Sequence, residues 1–199
     1  MLTLYDFTLS GNCYKVRLLL SFLGLAHEVI AVDLPARAQK STEFLQINTL
    51  GQVPTLDDDN ILIRDSQAIL VYLARRYGDE SWLPNDAEGL ALVMQWLSNA
   101  ANEIAHGLAA ARAFHLMNRP GIDIELATQR SLALLDAMDK HLQTRQWLEL
   151  ERPTIADVAC FPYIALAHQG HIAILEYPHV AAWVARFKKL PRFIAMPGL

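Results

Sequence analysis

Residues 2–23 read LTLYDFTLSGNCYKVRLLLSFL, and this stretch decides the fold. Leu2 to Phe7 is a β-prone run, and the polar, Gly-containing Thr8 to Asn12 follows it. Cys13, Val16, Leu20 and Leu23 then recur at i, i+3, i+7 and i+10, one face of a helix that Gly24 stops. A strand that hands over to a helix through a short polar turn predicts an α/β unit. The pattern continues outward. His27 to Val32 reads as a second strand, and the polar Pro35 to Thr42 leads to a short helical piece around Phe44 and Ile47. Val53 to Leu56 and Ile61 to Ile63, joined by a turn at Asp57 to Asn60, make a hairpin. Ser66 opens a helix whose Ile69, Leu70 and Leu73 face inward and which ends at Tyr77 and Gly78. The expected order is strand, helix, strand, helix, strand, strand, helix.

Beyond residue 85 the texture changes to long helical patterns without a convincing strand. Residues 85–117 contain no proline and predict one helix of about eight turns. Leu135, Met138 and Leu142 mark a second long helix after Pro120-Gly121. A third starts at Thr154, and Pro178 and Pro191 bracket a fourth around Val180 to Leu190. Polar, turn-rich residues between Gly78 and Asp86 read as a linker.

Composition narrows the function classes. Seventeen Lys and Arg against 21 Asp and Glu leave a formal charge of −4, with no basic run. That balance is a poor match for nucleic acid or an anionic membrane. Hydrophobic residues make up 53% of the 199, enough to offset ordering entropy, so disorder is excluded. Mean hydropathy is +0.17, yet the leading apolar stretch, Val16 to Ala26, is broken by Arg17 and is far below the ~18 residues of a membrane span. Polar residues interrupt the first segment too early for a signal peptide. Two cysteines, Cys13 and Cys160, make no disulfide framework, and a reducing cytoplasm is the expectation. The apolar excess suffices for two helix-rich cores.

Three short motifs sit where strands meet helices or turns. Ser10-Gly11-Asn12-Cys13 occupies the strand-to-helix turn, where unpaired N–H groups and positive potential stabilise an anion. A C-x-x-C there would supply a low-pKa nucleophile, but Ser10 stands at the first position, so a dithiol–disulfide cycle within the motif is impossible. Ser10 either caps the helix or donates a hydrogen bond to a thiolate from another molecule. Cys13 falls on the apolar stripe, as core or as a modulating thiol. Val53-Pro54 opens a strand, where proline belongs at an edge or special turn. A cis bond would present the Val53 backbone to an extended peptide ligand. Asp65-Ser66 heads another helix, either as a cap or as a hydroxyl and N–H cradle for a ligand carboxylate with Asp65 near its ammonium.

With these three in order, the chain resembles the glutathione S-transferase superfamily along essentially its whole length. The matching segments are LTLYDFTLSGNCYKVRLLLSFLGL, EFLQINTLGQVPTL, LIRDSQAILVYLARRY and PTIADVACFPYIALA. The resemblance implies an α/β thioredoxin-like N-terminal domain (1–78), a linker (79–85) and an all-α C-terminal domain (86–199), the glutathione S-transferase fold. It implies a cytoplasmic detoxification enzyme that uses glutathione as co-substrate, with no further cofactor and no metal. His168-x-x-His171 lacks a carboxylate or Cys at ligand spacing. LTLYDFTLSGNC aligns without gaps on the theta-type pattern, in which the Ser supports the thiolate. That makes Ser10 the expected catalytic group and Asn12 a second donor, while Tyr5 falls near the tyrosine that other classes use.

The resemblance places further residues. Val53 and Pro54 would meet the cysteinyl moiety, Asp65 and Ser66 the γ-glutamyl end, and Gln39 and Lys40 the glycyl carboxylate. An exposed, solvated Lys40 is the alternative. Ser98, Asn102 and Glu103 match the segment that completes the site from the neighbouring subunit of a homodimer. A second pocket for a small hydrophobic electrophile would lie between the domains, against the 86–117 helix, with Tyr5, His106, Arg112 and Phe114 as lining residues. The C-terminal tail, Pro191 to Leu199, is expected to shape it. Thr154 and Asp157 look like the family's capping box and are read as structural. Two other functions stay open: glutathione-dependent isomerase, dehalogenase or peroxidase chemistry at the same thiolate, and a non-catalytic glutathione-transferase-like interaction module.

Overall fold

The computed structural model describes all 199 residues. Strand β1 (Leu2–Asp6) alternates buried and half-buried side chains, so Leu2, Leu4 and Asp6 face inward while Thr3 and Tyr5 face the other side. Helix α1 (Gly11–Leu23) follows, and Gly24 stops it at φ 67°, the left-handed conformation a glycine adopts cheaply. Strand β2 (His27–Ala31) pairs parallel to β1, with Leu4 opposite Val29. A single turn at Ala38–Lys40 and the short α2 (Thr42–Ile47) lead to the hairpin β3 (Thr55–Asp58) and β4 (Ile61–Arg64). Strand β3 runs antiparallel to β1, with Leu56 opposite Leu4, and the sheet order is β2-β1-β3-β4. Helix α3 (Ser66–Tyr77) packs beside α1 on one face. The expected order of elements in this half is the observed one.

The second half is helical throughout: α4 (Ala87–Ala101), α5 (Glu103–His106), α6 (Leu108–Met117), α7 (Ile124–Leu142), α8 (Ile155–Ala165) and α9 (Pro178–Phe187). The single helix expected over 85–117 is three. The breaks fall at Asn102, at φ −116° and ψ −79° far from ideal helix values, and at Gly107, outside the helical region. A Cβ on Gly107 would meet the Glu103 carbonyl at 2.8 Å and Ser131 Oγ at 2.9 Å, so the break lets α7 approach closely.

Nearly every residue of α8 is buried, which makes it the centre of the molecule. It packs against α1, α3 and α4, and one continuous apolar cluster runs from Leu2 to Met196. The two separate cores expected from composition are therefore a single core. Residues 79–85 are pinned to both halves. Arg152 donates to the Ser81 and Glu80 carbonyls at 3.1 and 3.0 Å, the Ile155 N–H donates to the Trp82 carbonyl, and Trp82 stacks on Phe22. The tail also departs from expectation. Tyr14 and Ser21 of α1 bond the Ile194 and Arg192 carbonyls, which draws Pro191–Leu199 onto α1. No helix is long and apolar enough to cross a membrane.

Candidate functional site

Ser10 ends the β1–α1 turn and caps α1. Its Oγ accepts from the Cys13 N–H at 3.2 Å, and no acceptor in the chain takes its proton. Capping and donation are therefore compatible, because they use opposite ends of the hydroxyl. The turn is held from two sides. Arg17, paired with buried Asp6 at 2.6 Å, donates to the Thr8 carbonyl at 2.9 Å. Arg112 reaches across from α6 and donates to the Leu9 carbonyl at 2.9 Å. Cys13 lies inside the core, where burial pushes its thiol up to about 12. Burial pushes the Cys160 thiol up as well. Both cysteines are core residues without thiolate character at neutral pH.

Around Ser10 opens a cleft of about 790 Å³ lined by Asn12, Gln39, Lys40, Val53, Pro54, Asp65 and Ser66. These are the residues the sequence placed together. The Val53-Pro54 bond is cis, and no hydrogen bond within the chain uses the Val53 N–H or carbonyl. The loop that presents them is shaped by buried Asn48, whose Nδ2 donates to the Gln52 carbonyl at 2.8 Å and to Thr55 Oγ1 at 3.1 Å. Asp65, rather than Ser66, caps α3: its Oδ1 accepts from the Gln67 and Ala68 N–H groups at 2.9 and 3.1 Å. Ser66 is buried and bonds the Gln67 side chain. Lys40 is exposed but not free, since its Nζ donates to the Leu50 carbonyl at 2.8 Å. Gly51, at φ 56°, lies so near that a Cβ would meet the Gln39 carbonyl at 2.5 Å.

A second chamber of about 640 Å³ continues this cleft toward the helical half and shares Phe7, Ser10, Asn12, Leu34, Asp65, Met117 and Arg119 with it. Its far wall is small and apolar, built from Ala101, Ala105, Ala109 and Ala113 on α4 to α6. His106, Arg112 and Tyr163 also line it. Both chambers fall within the size range of small-molecule sites.

Three expected placements change: those of Tyr5, Phe114 and the C-terminal tail. Tyr5 lies on the opposite sheet face, edge-on to Phe44 with ring centroids 5.8 Å apart, because strand side chains alternate. Phe114 turns to His115 and lines neither chamber, because the break at Gly107 resets the helical face. Ser98 sits in an apolar groove between α3 and α4, and Asn102 and Glu103 line a separate surface pocket with Arg130; expected to serve a neighbouring subunit's site, none of the three lines this chain's own cleft. No residue of the tail lines either chamber.

Gln52, Met117, Arg119 and Tyr163 line the cleft without having been singled out. Gln52 was within reach, as it belongs to the Gln-Val-Pro segment. Arg119 and Tyr163 carry no local signal, since only helix packing brings them in. Thr154 and Asp157 form the expected capping box at α8, and Thr154 Oγ1 also accepts from the Ala156 N–H at 3.1 Å. His171 stacks on His115 at 3.8 Å, and no three His, Cys, Asp or Glu side chains converge as a metal would need.

Comparison with known proteins agrees with this geometry. Residues 4–81 match the family model of the glutathione S-transferase N-terminal domain, and residues 106–191 match that of the C-terminal domain. The chain is 30% identical to glutathione S-transferase 3 of Zea mays, covering 96% of this chain and 91% of the relative. It is 28% identical to the disulfide-bond oxidoreductase YfcG of Escherichia coli, over 96% and 92% of the two chains. A glutathione S-transferase crystal structure from Xanthobacter autotrophicus superposes with a TM-score of 0.90 at 32% identity, covering 100% of this chain and 98% of that one. The chain belongs to the glutathione S-transferase superfamily.

Proposed function

We propose that the protein binds glutathione in the first chamber, ionises its thiol at Ser10, and directs the thiolate at small hydrophobic electrophiles held in the second. The observation that carries this reading is the Ser10 hydroxyl: its oxygen is fixed by the Cys13 N–H, its proton is free, and it stands where the two chambers meet. A thiol of ordinary pKa, ~8.5, is mostly protonated at neutral pH. Lowering it by about two units takes ~2.7 kcal/mol of preferential thiolate stabilisation, within reach of one charge-assisted hydrogen bond plus the α1 N-terminus. Asn12, in the first turn of α1 and lining both chambers, is the second donor. The thiol proton leaves to solvent, and Ser10 is never covalently modified. Positioning of the two substrates supplies much of the remaining rate.

The γ-glutamyl end would lie at Asp65 and Ser66, the cysteinyl backbone at Val53, and the glycyl carboxylate at Gln39 and Lys40. Any redox or isomerase chemistry here would use the same borrowed sulfur, since both cysteines of the chain are buried. The oxidoreductase name of the Escherichia coli relative makes disulfide exchange with glutathione the second activity to measure. We also infer a homodimer seated on the groove of about 710 Å³ between α3 and α4, lined by Ile63, Val71, Tyr72, Met94 and Leu97. There Ser98 would face the second copy, and Asn102 and Glu103, in the separate pocket with Arg130, would extend the same interface.

The test is retention on glutathione–agarose together with conjugation of an activated aryl halide. Ser10→Ala should keep retention and lose most turnover. Retention without turnover, unchanged in Ser10→Ala, would leave a non-catalytic binding module.

A further inference from the structure

Beneath the Ser10 turn the molecule buries two cations that its own side chains do not neutralise. Lys15 lies four residues after Gly11 on α1, on the same helix face, and is fully buried with no hydrogen-bond partner for Nζ. Arg112 is only 2% exposed. Its Nε bonds Gln169 and its Nη1 the Leu9 carbonyl, both neutral acceptors, while its buried Nη2 bonds nothing. Tyr163 of α8 links the two cations to the turn. Its ring centroid is 5.5 Å from Lys15 Nζ, and a Cβ on Gly11 would meet its ring at 2.7 Å. The Tyr163 hydroxyl also feels the Arg112 charge.

The groups facing these cations do not balance them. Cys160 and Tyr163 face Lys15 from α8, and burial raises both, Tyr163 to about 12, so neither is an anion at neutral pH. Asp65, at the head of α3, acts on Lys15 only through space and is exposed, with Oδ1 committed to its cap. Asp6 belongs to Arg17. Burial lowers Lys15 to about 8, which leaves it protonated at neutral pH. An unpaired buried charge is costly, and an apolar side chain of similar volume would serve folding better. Unmatched positive charge below a helix N-terminus is the electrostatic complement of an anion above it.

We propose that Lys15, from behind the Ser10–Asn12 turn, and Arg112, from the wall of the second chamber, together form a buried positive floor that stabilises the glutathione thiolate through space. This inference rests on the function proposed above. Lys15 touches no substrate; it acts by its field, on the equilibrium in which the thiol releases its proton to solvent and keeps the electron pair on sulfur.

The test is titration of the bound thiolate by its ultraviolet absorbance, in the full-length protein saturated with glutathione, alongside thermal unfolding. Lys15→Met should raise the bound thiol's pKa by roughly one unit, leaving about tenfold less thiolate at neutral pH, as expected for a unit charge at ~10 Å in a partly polar interior. Its unfolding midpoint should equal or exceed the parent's. Lys15→Arg, which keeps the charge, should keep the pKa, and Arg112→Gln should shift it in the same direction as Lys15→Met. A folded Lys15→Met with the parent pKa overturns the floor. So does a Lys15→Met chain that unfolds, because Nζ would then be serving the fold. Absence of bound thiolate in the parent protein at neutral pH would instead overturn the Ser10 reading, and the floor with it.

Discussion

Two of the chain's hydroxyl-capped helices, α1 at Ser10 and α8 at Thr154, put that cap to opposite uses. Both side-chain oxygens accept from a backbone N–H in the first turn, at 3.2 and 3.1 Å. At α8 the surroundings close on the cap. Thr154 is fully buried, its hydroxyl faces Asp157 Oδ2 at 3.4 Å, and Asp157 also accepts from the Thr154 N–H, the Leu148 N–H and Trp183 Nε1. Every donor is matched, so this cap serves the fold. At α1 the hydroxyl is half-buried, its proton is unclaimed, and a cleft lies in front of it. The same local chemistry is structural where it is satisfied and available for reaction where it is left incomplete.

The strongest way to break this contrast is Asp157→Ala. It strips the acceptor from two backbone N–H groups and an indole in a fully buried core, and should cost about 3 kcal/mol or more of stability in a denaturant titration. A loss below about 1 kcal/mol would show that the α8 cap is not an essential junction. Ser10→Ala should reverse the pattern. We expect kcat/KM with an activated aryl halide to fall about 100-fold, while stability drops by only about 1 kcal/mol for the lost cap. Equal damage to folding and turnover would erase the distinction.

pH sharpens it further. Burial pushes the Asp157 carboxyl up to about 6, against the pull of its donors. The folded state thus holds this proton more tightly than the unfolded chain, whose carboxyl titrates near 3.8. The contribution is full below that value and is lost as pH rises through about 6. Between these limits stability should fall with pH by up to about 1.4 kcal/mol per unit, and Asp157→Asn should flatten that slope. The smallest expected effect is Tyr5→Phe. With its ring against Phe44 on the far sheet face, turnover should stay within about twofold of the parent.

Much of the N-terminal half was legible because its signals are local. A strand, a cap and a helix stripe are set by neighbours within a few residues, so β1, the Ser10 turn, the β3–β4 hairpin and the Thr154 box could be read along the chain. Ser10, Val53 and Asp65 singly read equally as caps or an edge turn, and only the three in order carried the resemblance that grouped them. The helical half was less legible. An unbroken 85–117 helix satisfies local propensity, and only the approach of α7 at Gly107 explains why it breaks. That break turned Phe114 away from the cleft and left Ala105 and Ala109 facing it.

The sequence by itself thus determined the architecture, the caps and the replacement of a cysteine nucleophile by Ser10. Tertiary structure decided the rest: that Tyr5 faces away, that Arg112 reaches the Leu9 carbonyl from 103 residues away, and that Lys15 and Tyr163 meet under the turn. The physical reason is range. Hydrogen bonds of turns and caps span three or four residues, whereas burial and unbalanced charge are sums over everything that packs around a group.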